Sequence, residues 1–302
     1  TLLLQNSEIT ENNISGSTAM GGGFFSLGEV NAINSFKFSN VKINNNTSQR
    51  TAGGGYIRYY SIAEMEDVEM DGNSGTEGAG IHTVGQADFQ NVIKITKSVI
   101  KNHAASGNGG AMLVAQYTTL EIYESEFSNN SGGSQGGAIY ITGNAARFNK
   151  LIIDKSRFIG NKLNNATSTG GAIRNANYVE GWITNSVFIG NESNTGAAIS
   201  FVGSNLAPTE NTVVNSVFYN NKSRATSGNS GGGAINTGVY MTLNVINSTF
   251  YNNETGNNAG AVQIAENNFT FVNIYNSIFY GNKAAAGDDI NWPNTNAKVE
   301  LK

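Results

Sequence analysis

The sequence predicts an all-β chain wound into a right-handed parallel β-helix of about ten coils. Three observations carry this expectation. The 302 residues include 46 Asn, 37 Gly and two Pro, with 13% charged and 39% hydrophobic residues. Asn and Gly favour turns and leave too few helix formers for a bundle, whereas the apolar fraction is enough to line a long core. Two short motifs alternate along the chain with a period of about 30 residues, the range of solenoids. The segments around them show apolar alternation of period two, which means strands. A unit holding two or three short strands cannot bury its own apolar face, so stacking is obligatory. Equivalent strands then pair in parallel about 4.8 Å apart, and ten coils give a rod of roughly 45 Å in the pectin-lyase-like manner.

The first motif is an apolar residue, two residues, Ser, one residue, an apolar residue that is mostly Phe, two residues, and Asn. Its plainest copies are "IYESEFSNN", "IDKSRFIGN", "ITNSVFIGN", "VVNSVFYNN", "VINSTFYNN" and "IYNSIFYGN". Within it, Ile122, Ser125 and Phe127 are expected to face the core, with a bend between two strands just before the serine. Stacking places Phe127, Phe158, Phe188, Phe218, Phe250 and Phe279 in one interior column. The last residue forms a second column of Asn130, Asn161, Asn191, Asn221, Asn253 and Asn282, preceded by weaker copies at Asn12, Asn46 and Asn73, with His103 in the slot once. These asparagines are expected to sit at a corner in left-handed backbone and to hydrogen-bond from coil to coil.

The second motif, Gly-Gly-Ala-Ile, ends at Met112, Ile139, Ile173, Ile199, Ile235 and Val262, with degenerate copies ending at Phe25, Ile57, Ile81 and Ile290. Its glycines allow a tight turn and close approach between coils. The carboxyl-terminal "VELK" reads as a strand after a turn at Pro293.

This alternation resembles the repeat of the polymorphic outer membrane protein family, the Pmp adhesins, defined by Gly-Gly-Ala-Ile and Phe-x-x-Asn. The resemblance implies an extracellular, surface-displayed β-helix that adheres to a host, a neighbouring cell or a surface. Residues 1–302 are expected to form one domain, a fragment or mature part of a larger surface protein.

Composition narrows the partners. The net charge is −4 and Lys and Arg form no cluster along the chain, so nucleic acid is not an expected partner. The absence of Cys excludes disulfides, zinc fingers and thiol nucleophiles. No apolar run approaches the ~18 residues of a membrane span, so membrane insertion by this chain is not expected.

Two outward columns flank the phenylalanines. They are charged and polar in the first half and apolar in the last four coils, where Val187, Ile189, Val217, Tyr219, Tyr251, Ile278 and Tyr280 form a stripe. Contiguous apolar surface suggests a contact, so this stripe is the expected binding surface, for a protein partner by self-association or receptor binding, with glycan as the second ligand class. A side-chain ladder that only stabilises strand pairing is the bland reading.

The same fold serves polysaccharide lyases and hydrolases. Their candidates here are Arg58 and His82, expected on one outward column, the acidic run Glu64, Glu66, Asp67, Glu69 and Asp71, and the pair Asp288–Asp289. Glu69 and Asp71 also suit calcium. No convergent acid–base pair is visible, so the expectation is a non-catalytic chain without cofactor or metal, a filament subunit being a further alternative.

Overall fold

The computed structural model describes residues 2–227, 231–265, 269–292 and 297–302. They form a parallel β-solenoid of about ten turns, with no helix among the described residues. One coil shows the plan: a long strand Asn149–Asp154, the Phe strand Arg157–Ile159, a two-residue strand Lys162–Leu163, and the Gly-Gly-Ala-Ile strand Ile173–Asn175. Among the described residues, long and Phe strands build one sheet of nineteen strands, the two-residue strands a sheet of nine, and the Gly-Gly-Ala-Ile strands a sheet of ten. Each strand pairs in parallel with its counterparts in the coils before and after, as Phe158 does with Phe127 and Phe188. The turn expected at Pro293 lies outside the described residues; the strand after it, Lys298–Leu301, pairs with Thr270–Tyr275.

The bend before the serine is a single left-handed residue, among them Glu124, Lys155, Asn185, Asn215 and Asn247. Left-handed backbone costs a non-glycine residue energy, least for Asn, and the serine helps to hold it. Ser156 Oγ donates 2.9 Å to the Asp154 carbonyl across the bend and accepts the Ser125 N–H at 3.1 Å from the previous coil. The same bonds continue to Ser277, so the serines form a ladder of their own.

The asparagine column is a ladder as expected, but its residues are not the left-handed ones. The positive φ falls one residue earlier, on Asn129, Gly160, Gly190, Asn220, Asn252 and Gly281. The physical reason is direction: the ladder residue must keep its amide inside the coil, so the outward residue before it takes the reversal. Asn161 Nδ2 donates 3.0 Å to Asn191 Oδ1 and 2.9 Å to the Phe127 carbonyl, and its N–H donates 3.0 Å to the same Oδ1. His103 takes its place in the ladder, accepting the Asn73 N–H at Nδ1 (3.0 Å) and donating its own N–H to Asn130 Oδ1 (3.1 Å). At the last rung Asn282 Nδ2 donates 2.9 Å to Asp289 Oδ1, a carboxylate standing in for the next asparagine.

Beside the asparagines, the phenylalanine rings stack almost parallel, with centroids 5.2 to 4.7 Å apart from Phe127 to Phe279. The rings from Phe127 to Phe250 are fully buried. The Gly-Gly-Ala-Ile sheet corrects two motif ends. Ile81 pairs with Gly55, and Gly55 with Phe24, so the first two copies end at Phe24 and Gly55, not at Phe25 and Ile57. A Cβ on Gly55 would meet the Phe24 ring at 2.1 Å, so the large side chain of one coil takes the space the next leaves free.

The corner between this sheet and the next long strand alternates from coil to coil. Every second coil carries a short hairpin turn, closed by the antiparallel bridges Glu29–Ala32, Gln86–Phe89, Asn144–Arg147 and Ser204–Ala207. The coils between turn at left-handed Tyr60, Tyr117, Tyr178 and Tyr240. Each hairpin opens with a glycine pressed on the tyrosine carbonyl of the next coil; a Cβ on Gly143 would lie 1.9 Å from the Tyr178 oxygen.

Candidate interaction surface

The two outward columns beside the phenylalanines are in register from end to end. In the last coils Val187, Val217, Thr249 and Ile278 form one, and Ile189, Tyr219, Tyr251 and Tyr280 the other. The tyrosine rings stack, Tyr219 on Tyr251 at 5.3 Å and 6°, Tyr251 on Tyr280 at 5.6 Å and 11°. Their faces cover one another, so the stack presents ring edges and hydroxyls outward. Exposure rises along the stripe: Val187, Ile189 and Tyr219 are half-buried, while Ile278 and Tyr280 are 61% and 68% exposed.

In the first half the same columns carry charges that alternate between coils. Lys42 pairs with Glu8 at 3.3 Å, and Lys101 lies 2.9 Å from Glu69 and 3.5 Å from Asp71. The ammonium of Lys101 therefore stands between the two carboxylates considered for calcium. Lys37 reaches Glu66 at 2.8 Å and Glu64 at 3.9 Å, holding the Glu66 carboxyl below its ordinary range. Four of the five carboxylates of the acidic run thus lie within ion-pair distance of a lysine, while Asp67 is in no ion pair among the described residues.

Arg58 and His82 do not share a column. Because the Gly-Gly-Ala-Ile register shifts by two residues in the early coils, His82 pairs with Tyr56 and Arg58 with Val84. His82 Nδ1 lies 2.6 Å from Thr51 Oγ1, its ring 4.8 Å from that of Tyr56, and burial pushes it down to about 4. Arg58 lies 4.5 Å above the Tyr59 ring and donates to the Tyr59 hydroxyl at 3.0 Å. Neither faces a carboxylate with which to share a proton. Asp288 Oδ1 accepts the Ala284 N–H, and Asp289 ends the asparagine ladder. An apolar hollow of about 420 Å³ in the first coils, lined by residues such as Leu2, Phe24, Phe36 and Phe38, contains no acid or base.

Sequence reasoning overlooked the hairpin turns, whose tips share no motif, and a cluster of cations. Arg147, Lys150, Lys155, Arg157, Lys162 and Arg174 are spaced along the sequence, yet they fall within about one turn of the solenoid, against the expectation that Lys and Arg form no cluster.

The segment from Glu124 to Thr142 runs from the left-handed bend through Ser125, Phe127 and Asn130 to the Gly-Gly-Ala-Ile strand ending at Ile141. Residues 124–142 match the Chlamydia polymorphic membrane protein repeat. The chain carries a Pmp-type repeat. What that repeat encodes is visible in the coil: the serine and asparagine slots supply the two ladders, the phenylalanine the stacked core, and the glycines the close contact between coils. No curated protein and no solved structure gives a significant match.

Proposed function

We propose that the chain is an extracellular, surface-displayed adhesion module, non-catalytic, that binds a protein partner through the lateral stripe of its last four coils. The observation that carries this reading is the tyrosine stack, Tyr219–Tyr251–Tyr280, exposed beside Ile278 on a flat face. Apolar and aromatic side chains in contiguous exposed surface are what interfaces are made from. The Pmp-type repeat supports placement at a cell surface. The rings offer edges and hydroxyls, whereas a sugar ring would want an open aromatic face, so protein is favoured over glycan at this place.

Size sets the strength. Four coils about 4.8 Å apart, one short strand wide, offer roughly 200 Å², well under the ~800 Å² that each partner of a standard interface buries. One contact is therefore weak, and adhesion rests on many copies displayed together. Four of the five early carboxylates pair with lysines, and among the described residues Arg58 and His82 form no ion pair with an acid, which supports the non-catalytic reading.

The double variant Tyr219→Ser, Tyr251→Ser tests it. Sedimentation and cell-binding assays should show loss of association with the fold unchanged. If the variant assembles and adheres like the parent, the stripe is a stabilising ladder and the reading falls. A screen on polyuronates and neutral glycans, with and without calcium, tests the catalytic alternative, which clear turnover abolished by Arg58→Ala would establish.

A further inference from the structure

Charge is distributed along the rod in blocks. Between residues 147 and 174 there are six cations against Asp154 alone, a local net charge of +5 in a chain whose net charge is −4. On the amino-terminal side, residues 102–146 hold Glu121, Glu124 and Glu126 and no Lys or Arg; on the other, residues 175–221 hold Glu180, Glu192 and Glu210 and again no Lys or Arg. A coil rises only about 4.8 Å, so the six charges form a belt one coil thick, and the potentials of those that gather on one side of it add within the ~10 Å screening length at moderate salt.

The belt is largely unpaired. Among the described residues, Arg157 alone of the six makes an ion pair, with Glu126 at 3.5 Å. Three of the others gather at one corner. Arg174 stands on the Gly-Gly-Ala-Ile sheet between Tyr140 and Ser200. Arg147 closes the hairpin turn that leaves the neighbouring strand Ile139–Ile141, and Lys150 lies exposed on the long strand that follows.

Arg174 gives a second, independent observation. Its Nη1 donates 2.6 Å to Ser200 Oγ, its Nε has no partner, and burial pushes the guanidinium down to about 10 with no carboxylate to oppose the shift. A half-buried cation whose Nε is closed off from solvent without a partner normally has an anion beside it.

We propose that the corner of Arg174, Arg147 and Lys150 binds an acidic polysaccharide strand lying across the rod. Shape selects this partner among polyanions. A nucleic-acid duplex or an anionic membrane would spread along the rod and meet the glutamates on both flanks, whereas a narrow strand crossing the axis meets the belt and, beside this corner, only the edge carboxylate Glu180, the register partner of Lys150. Backbone groups in these coils are engaged with the coils above and below, so an extended acidic peptide finds no main-chain partners. Uronate or sulfate groups need only charged and polar side chains, which half-buried Asn144 and exposed Asn177 beside the arginines extend. This site is separate from the tyrosine stripe and does not depend on it.

Titration of the whole chain with polygalacturonate and with dextran sulfate at low ionic strength tests the proposal and tells uronate from sulfate. Binding to at least one is expected, weakening as salt is added. Arg147→Gln with Lys150→Gln, both exposed and compatible with the fold, should reduce affinity roughly tenfold, and adding Arg174→Gln should reduce it further. Lys162→Gln, on the far side of the same coil, and the Tyr219→Ser, Tyr251→Ser variant should bind as the parent does. Equal binding by the double glutamine variant, no binding of either glycan by the parent, or tighter binding of polyglutamate or single-stranded DNA would each overturn it.

Discussion

The imidazole of His103 lies where a side chain on Gly80 would point: a Cβ built on Gly80 would stand 3.1 Å from both Cδ2 and Nε2 of the ring. In six later coils this slot of the Gly-Gly-Ala-Ile motif holds alanine, as in Ala111, Ala138 and Ala172. The wider ladder residue of one coil and the missing methyl of the coil before it are one accommodation.

The two positions should therefore couple. Gly80→Ala alone is expected to cost about 1–3 kcal/mol, since the ring and the Ala111 carbonyl both crowd the new methyl. With His103→Asn in place the cost should shrink by at least ~0.5 kcal/mol, read from denaturant unfolding of all four members of the cycle. Additive effects would show that the ring does not set the slot.

His103 also predicts a response to acid. It must be neutral to accept the Asn73 N–H at Nδ1, and burial lowers it from 6.5 to about 4. The unfolded chain then takes up a proton near pH 6.5 while the folded one does not until about pH 4. Stability contributed by the neutral ring is full above the upper value and drains away as pH falls between the two, by on the order of 3 kcal/mol. Unfolding free energies at neutral pH and at pH 4 should show this drop together with one of the same sign from His82, and His103→Asn should remove its own share while leaving that of His82.

Interior rungs of the asparagine ladder should be worth far more than its end. Asn161→Ala strips the acceptor from the N–H and Nδ2 of Asn130 and the donor from the Phe127 carbonyl, all buried. At about 1–3 kcal/mol for each orphaned group, a loss of at least ~3 kcal/mol is expected. Asp289→Ala removes one acceptor from Asn282, which keeps its bond to the Phe250 carbonyl, and should cost about 1 kcal/mol. Thermal melts of the two variants compare them directly.

Inner and outer aromatic stacks should part in the same way. Phe188, fully buried between rings 4.9 Å away on either side, should cost about 3–5 kcal/mol as Phe188→Ala. Tyr219→Ser with Tyr251→Ser, at a partly exposed surface, should cost no more than ~1 kcal/mol while abolishing adhesion. A large loss of stability in the tyrosine variant would assign the outer stack to folding.

Much of this was legible in the sequence where one slot repeats one chemistry. Ser125, Phe127 and Asn130 recur because each must match its own copy in the next coil, so the core and its ladders could be read from spacing. Legibility failed where neighbouring coils trade space. Phe24 over Gly55 leaves both motif copies unrecognisable, and the resulting two-residue slip put Arg58 beside His82 on paper though not in the fold. The left-handed corner was placed on Asn130 instead of Asn129 because either can adopt it. Arg147 to Arg174 stand in one block of the sequence, six cations against Asp154, which was passed over because no two are adjacent, and winding closes the block into a belt.

The alternation of hairpin turns and left-handed tyrosines makes the heritable unit of this rod a pair of coils. Excising the coil between them would set the Gly85 hairpin directly against the Gly143 hairpin, so that Gly85 loses the Tyr117 carbonyl on which it rests while Gly143 keeps that of Tyr178. Excising the 58 residues that separate Gly85 from Gly143 joins like to like. Duplications and deletions compatible with the fold thus lengthen or shorten the molecule in steps of roughly 10 Å, and odd-numbered changes are filtered out at the corner.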